Sequence, residues 1–600
     1  MIDRRFWIWT FAVLAIGLAL RAPSLPSGFG MDDFAQLAML EGVYPAERGI
    51  WDLFSFSSGD PQEVHTLMSR GSLAWWSHPQ LKLSALRPLS SLLMWLDVQM
   101  FGHQALWHHA HTLLWWALML LSAALLLRRL LPARWAMLAL LLYALDECHT
   151  YPIGWLANRN AIVSATFAFL ALYAHVRHRE DGWARGRWLS VLGLMLSLAG
   201  GEYGLCILPF FVLYELLAAP GDRKSRARAL IPMFVLFGVY VAIHRALGFG
   251  SFASNVYVDP LREPLAWLGI AKLRVPILVA DMFLAIPTGK LALYPKLMQA
   301  QAWLGPAAGI LLAFIVPAMW RRLDATGRKR LVWLLAAAVL GIVPVASSFV
   351  SARLLLIPAI GGHAVVAALL LDAFDRIRDR AHRFRPWTLV RSTVALALFV
   401  AHVGLASYWG FEETRNIHRL NIGTRQASLM MQVDDTKVEQ QRLVVLTAAD
   451  PMTLLYPALV RWVEGHPLPR SWWVLSLAPK PHTLTRITDN AFEMEVVDGA
   501  MLTGPVEQLF RRPRFRFRPG QHVYLDGLTV TILKMKEYYP QRVRFTFETS
   551  VDDPSLVFLL ATKRGMLHYP MGPVGATMAI PPATLPLVLD IQEQDRAAGN

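Results

Sequence analysis

Long apolar segments separated by short, strongly basic connections recur along this chain, and that alternation restricts it to folds in which many helices lie within a bilayer. The basic connections are Arg128-Arg129 with Arg134, Arg177 to Arg187, Arg223-Lys224-Ser225-Arg226-Ala227-Arg228, Arg321-Arg322 through Arg328-Lys329-Arg330, and Arg376 to Arg385. Basic loops stay on the cytoplasmic side, so all five are expected there. Composition agrees: 55% of the 600 residues are hydrophobic, 17% are charged, and there are 22 Trp and 29 Phe. A mean hydropathy of +0.38 exceeds that of an ordinary soluble chain. The net charge of +15 does not indicate nucleic acid, because the basic residues punctuate the apolar segments rather than filling one domain.

With each basic connection inside, about eleven spanning helices are expected, near 6–22, 105–127, 134–146, 159–176, 187–200, 203–219, 229–247, 303–320, 331–350, 353–374 and 388–409. The first follows Arg4-Arg5 like a signal peptide, but no small-residue cleavage site succeeds it, so it reads as a retained helix. The stretch 268–287 carries Lys272, Arg274 and Asp281 and breaks the parity of the topology; it and 86–101, which carries Asp97, are read as re-entrant or interfacial. Cys148 and Cys206 match no metal-binding spacing and can make at most one bridge.

This topology collects acidic residues on the outer side: Asp32-Asp33 in a first outer loop of 23–104, Asp146-Glu147, Glu202 in the turn Gly200-Gly201-Glu202-Tyr203-Gly204, and Asp259. Outer loops lack the basic bias and gather carboxylates by default. The pair Asp32-Asp33 stands apart because the Pro- and Gly-rich stretch before it contains no other acid. His108 and His111 share a helix face, with His65 and His78 on the same side of the membrane, which invites a metal reading; a Trp-rich interfacial belt around Trp107, Trp115 and Trp116 explains them equally.

After Trp409 the composition changes. Residues 411–437 read as a polar helical connector, and 438–600 as a β-rich α+β domain. Arg442–Thr447 reads as a buried strand leading to a helix around Leu454 to Trp462. Period-two alternation predicts strands at Phe492–Val496, Arg514–Arg518, His522–Leu525 and Arg542–Glu548, with turns at Pro519-Gly520 and Asp526-Gly527. An odd number of spans places this domain outside, in the periplasm of a bacterium, with the N-terminus in the cytoplasm. The Arg511–Arg518 run reads either as a grip for an anionic glycan or headgroup or as a strand with one solvated face.

Several short motifs, in order, resemble the GT-C superfamily of membrane glycosyltransferases. They are the acidic pair after the first helix, Arg87-Pro88-Leu89, His108 to His111, the run from His149 to Ala161, and Gly201-Glu202 followed by Pro209. They are most similar to the transmembrane O-mannosyltransferases that carry tetratricopeptide repeats. The resemblance covers residues 1–410, and no such repeat follows. Gly201 stands where a Lys is usual, and Ser351–Pro358 keeps the arginine and proline of a Glu-Arg-Tyr-Leu-Tyr-Leu-Pro pattern without its Glu and Tyr residues.

The resemblance implies an enzyme that moves a sugar from a polyprenyl-phosphate carrier to an extracytoplasmic protein, lipid or glycan, with inversion. Asp32 would be the general base, Asp33 would position the acceptor or a divalent metal, and Glu202 would complete a catalytic set. Arg159 and Arg353 would hold the donor phosphate, supported by Arg87, Asp146, Glu147, His108 and His111. Snorkelling or capping is the competing reading of both arginines. The resemblance fixes no cofactor, a divalent metal is compatible, and the absence of a Gly-rich nucleotide loop fits a lipid-linked donor. A flippase of lipid-linked intermediates, or an inactive scaffold for the outer domain, are the alternatives; the first calls for charges at the midplane and an internal repeat.

Overall fold

The computed structural model describes residues 4–288, 295–320, 323–379, 386–562 and 565–583. Arg321, Arg322 and the 380–385 part of the last basic connection lie outside the described residues. The chain forms two compact units: 1–27, 85–248 and 259–418 make the first, and 28–84, 249–258 and 419–600 the second. The first outer loop, expected to belong to the helical domain, thus divides, and most of it joins the C-terminal residues.

The first unit is helical. Five helical stretches among the described residues are long and apolar enough to cross a membrane: Arg4–Ser27, Ala105–Leu130, Arg223–Ala246, Ala325–Ser347 and Pro386–Leu429. Ala133–Leu145 is apolar but shorter. The Ala105–Leu130, Asn160–Asp181 and Ala184–Gly200 helices pack side by side. Small residues such as Ala123, Ala124, Ala165, Ala168 and Ala171 line the core and let the backbones approach closely.

Three of the expected segments are helical along most of their length. The 268–287 segment, read as re-entrant or interfacial, forms the unbroken helix Pro264–Leu284. Its charge is accommodated because Arg274 Nη1 donates to the carbonyls of Ala346 at 3.0 Å and Ser348 at 2.6 Å. The 86–101 segment is likewise a regular helix, Pro88–Phe101, opened by a proline at its first position. Residues 203–219, expected as one span, form a continuous helical stretch over 202–218 that is 3₁₀ at Glu202–Ile207, α at Leu208–Leu213 and π at Tyr214–Ala218. The π turn places Glu215 where its Oε1 lies 2.8 Å from both His175 Nε2 and Arg179 Nε.

The second unit is built on sheets. A six-stranded antiparallel sheet has the order Thr577–Ile580, His482–Thr488, Ala491–Val496, Tyr539–Phe547, Leu528–Lys536, His522–Leu525. Its register realises the period-two pattern. Phe545 opposite Phe492 and Val543 opposite Met494 face inward, while Arg544 opposite Glu493 and Arg542 opposite Glu495 form cross-strand ion pairs at 2.7 Å. A four-stranded sheet runs Gly565–His568, Leu556–Thr562, Arg442–Thr447, Ser471–Ser476. Arg442–Thr447 has parallel neighbours on both sides and is buried along its whole length, which is why it reads as a continuous apolar run.

The 28–84 segment belongs here because of its indoles. Trp75 Nε1 donates to Leu475 O at 3.0 Å and Trp76 Nε1 to Glu507 O at 3.1 Å, and both side chains are buried. The Pro61–Arg70 helix is capped by Asp60, which accepts from Gln62 and Glu63, and ends at Gly71 in the left-handed region, φ 88°. A Cβ at Gly71 would lie 1.7 Å from Trp472 O, so conformation and close approach both require glycine.

The expected strand at Arg514–Arg518 is absent: Pro513–Phe515 is a 3₁₀ turn and the next residues pair with no strand. The proline removes a ladder donor. The side chains are drawn to separate partners: Phe517 stacks on Trp75, and the Arg511 guanidinium lies 4.0 Å from the Phe517 ring centroid while donating to Trp76 O and Ser77 O.

Candidate functional site

The acid pair opens the helix Asp32–Leu40 in the second unit. Met31, immediately before it, has φ 51° and ψ −126°, a conformation that costs a side-chain-bearing residue about 1–3 kcal/mol. Gly30 stands against Asn421, whose Oδ1 would be 2.3 Å from a Cβ there. The two carboxylates then diverge. Asp33 is fully buried, 0% exposed, and its Oδ2 reaches back to accept the Gly30 N–H at 3.0 Å, closing the turn. Asp32 is only part-buried, and its Oδ1 accepts from the Tyr456 hydroxyl at 2.6 Å. Burial, together with the Asp32 charge, pushes the Tyr456 phenol well above its ordinary range, so it remains a neutral donor. Asp32 also sits in the first turn of its helix, where the dipole favours negative charge.

Tyr456 was invisible to pattern reading. It occupies the junction of Pro451–Leu455, capped by Asp450, and Pro457–Val463, 424 residues from Asp32 in the chain. The other candidate residues lie in the first unit.

There Arg87 and Glu202 are committed to each other: Arg87 Nε donates to Glu202 Oε2 at 2.8 Å and Nη2 to Oε1, a bidentate fork. Arg159 is committed to Asp97, with Nη1 2.5 Å from Oδ2, in a pair whose carboxylate is 0% exposed. Asp97 also accepts from His111 Nδ1 at 2.5 Å, while His111 Nε2 accepts from Trp115 Nε1 at 3.0 Å. Both His111 nitrogens are therefore engaged, leaving no lone pair for a metal. His108 Nε2 donates to Gly102 O at 2.9 Å.

Asp97 thus organises Arg159 and His111, although the sequence offered it only as the acid within an apolar stretch. That was the available signal: an ionisable residue among apolar neighbours demands a partner. Asp97→Ala strands the buried Arg159 charge and is expected to cost about 3–5 kcal/mol of stability. Chemical unfolding of the detergent-solubilised chain checks this; Asp97→Leu combined with Arg159→Met should recover most of the loss. A single-variant cost below about 1 kcal/mol would contradict it.

Arg353 differs from Arg87 and Arg159. It is 6% exposed, and its guanidinium lies over the rings of Phe349 at 4.6 Å and Trp155 at 5.2 Å. Its Nε has no hydrogen-bond partner among the described residues. A buried cation held over two aromatic faces with an orphaned donor is suited to an anion. Asp146 lies in the turn after Ala133–Leu145, where its Oδ1 accepts the Cys148 N–H at 2.8 Å and its backbone carbonyl accepts from Arg21 Nη2 at 3.0 Å. Glu147, beside it, is half-buried.

No family model and no curated protein matches the sequence. Solved structures do match in fold comparison. An Archaeoglobus fulgidus oligosaccharyltransferase, tethered to an acceptor peptide, aligns with 77% of this chain at 12% identity and TM-score 0.41. The chain covers 64% of that protein's length. ArnT from Cupriavidus metallidurans bound to undecaprenyl phosphate aligns with 77% at 16% identity and TM-score 0.39, with 85% of that chain covered. The mycobacterial arabinofuranosyltransferase AftD aligns with 92% at 14% identity and TM-score 0.37, with 40% of that chain covered.

Proposed function

We propose that this integral membrane protein is a GT-C-type glycosyltransferase that moves a sugar from a polyprenyl-phosphate donor to an extracytoplasmic acceptor. The observation that carries the reading is the division of labour in the acid pair. Asp33 is spent on holding a strained turn, and Asp32 is presented part-open, in the first turn of a helix, with a neutral phenol as its partner. Strain of this kind persists where the surroundings enforce it, as they do in functional turns.

In the proposed reaction the acceptor's hydroxyl or amide attacks the anomeric carbon from the face opposite the phosphate. Asp32 takes the acceptor proton as the new bond forms, and the bond from the anomeric carbon to the phosphate oxygen breaks, leaving the polyprenyl phosphate with the electron pair. Negative charge grows on that phosphate, and the arginine assigned to stabilise it is Arg353, whose Nε has no hydrogen-bond partner among the described residues. Arg87, Arg159 and Glu202 are positioning residues in this reading, because each is already neutralised by a partner. With a cytoplasmic N-terminus, the acceptor side is the periplasm of a bacterium.

The test is transfer of a labelled sugar from a panel of polyprenyl-phosphate sugars to envelope protein, lipid and glycan fractions by the purified chain in detergent or nanodiscs. Label appearing in one fraction, dependent on Asp32, supports the reading. No transfer to any fraction from any donor, with donor binding also absent, overturns it.

A further inference from the structure

Among the described residues, Asp146, His363 and His402 form a buried group whose donor atoms all lie within 4.8 Å of one another. The proposed transfer chemistry uses neither histidine. Asp146 follows the Ala133–Leu145 helix, His363 lies in the second turn of Ala359–Arg378, and His402 lies in the π turn Val400–Leu405 that interrupts the last long helix. Turns of this kind within helices frequently mark functional sites.

The hydrogen bonds decide which nitrogens carry lone pairs. His363 Nδ1 is 2.9 Å from Ala359 O, and a carbonyl can only accept, so Nδ1 bears the proton. With the proton on Nδ1, His363 Nε2 turns its lone pair toward Asp146 Oδ2, 3.1 Å away, the contact that a doubly protonated ring makes as an ion pair. The same logic applies to His402: Nε2 donates to Phe283 O at 3.2 Å, leaving Nδ1 as a buried lone pair without a partner. The two rings meet edge to face at 5.4 Å. A carboxylate oxygen and two imidazole lone pairs converging in a dry interior repel one another unless a proton or a metal cation lies between them.

From this geometry we infer that Asp146, His363 and His402 are the protein ligands of a divalent transition metal, with zinc favoured by the two-imidazole, one-carboxylate donor set. The outer contacts match those of a metal centre. Each histidine donates its other N–H to a backbone carbonyl, and the second Asp146 oxygen accepts the Cys148 N–H. Bound there, the ion would tie the Ala133–Leu145, Ala359–Arg378 and Pro386–Leu429 stretches together.

The experiment uses the full-length chain carrying a tag without histidines, purified in detergent and analysed by inductively coupled plasma mass spectrometry. About one zinc per chain is expected, exchangeable for cobalt(II) with the visible absorption of a low-symmetry nitrogen and oxygen site. His402→Asn and Asp146→Asn should each become substoichiometric while eluting as monodisperse species, and His111→Gln, at a residue that is not a member of the group, should retain the metal. If the wild type holds no metal and takes up neither zinc nor cobalt, the group is a protonated imidazole–carboxylate pair and the inference fails. It also fails if zinc is present and survives both ligand substitutions.

Discussion

Asp32→Asn is expected to reduce sugar transfer by about 10²- to 10⁴-fold, the usual contribution of a positioned base, with donor affinity little changed. The substitution keeps the size of the side chain and an oxygen for the Tyr456 hydroxyl, and asparagine is tolerated at the start of a helix. What it removes is the capacity to take a proton. Asp33→Asn should behave differently: it weakens the acceptor of the Gly30 N–H inside a strained turn, so its signature is lower stability accompanied by partial loss of rate. Initial rates and thermal unfolding of both variants in the same detergent separate the roles. Transfer by Asp32→Asn within a few-fold of wild type would remove Asp32 as the base. Full activity of Asp33→Asn with unchanged stability would contradict the division of labour between the two acids.

Arg353→Gln is expected to weaken donor binding by about 3 kcal/mol, the scale of a hydrogen bond to a charged group, which is roughly 100-fold in Kd. Arg353→Lys should recover only part of this, because a lysine keeps the charge but neither the planar fork nor the stacking on Phe349 and Trp155. Arg159→Gln provides the contrast. Its guanidinium is held by Asp97, so its loss should appear chiefly in stability. Binding of a fluorescent polyprenyl phosphate to the three variants checks the ordering. Equal donor affinity in Arg353→Gln and wild type would make Arg353 an interfacial anchor instead.

Much of the architecture follows from local rules. Helix positions in the first unit come from apolar length and the basic connections, and the strands expected at Phe492–Val496 and Arg542–Glu548 come from alternation that the sheet pairs residue for residue over 542–546. Local rules failed where another element supplied the deciding contact. Pro264–Leu284 carries charges that discourage a buried helix, yet the carbonyls of Ala346 and Ser348 receive Arg274. The Arg514–Arg518 alternation looks like a strand, yet Trp75 and Phe517 stack and draw the chain off the ladder.

For the candidate site the same boundary applies. The sequence by itself determined that this is a membrane-embedded chain of many apolar helices with a β-rich C-terminal part, and that acids and arginines gather near helix ends. Only the tertiary structure decided which partner each charge meets. Asp97 meets Arg159 across 62 residues, Arg87 meets Glu202 across 115, and Asp32 meets Tyr456 across 424. Periodicity reports the face of one element, whereas neutralisation of a charge depends on a second element brought within about 3 Å, a distance that only the folded chain sets.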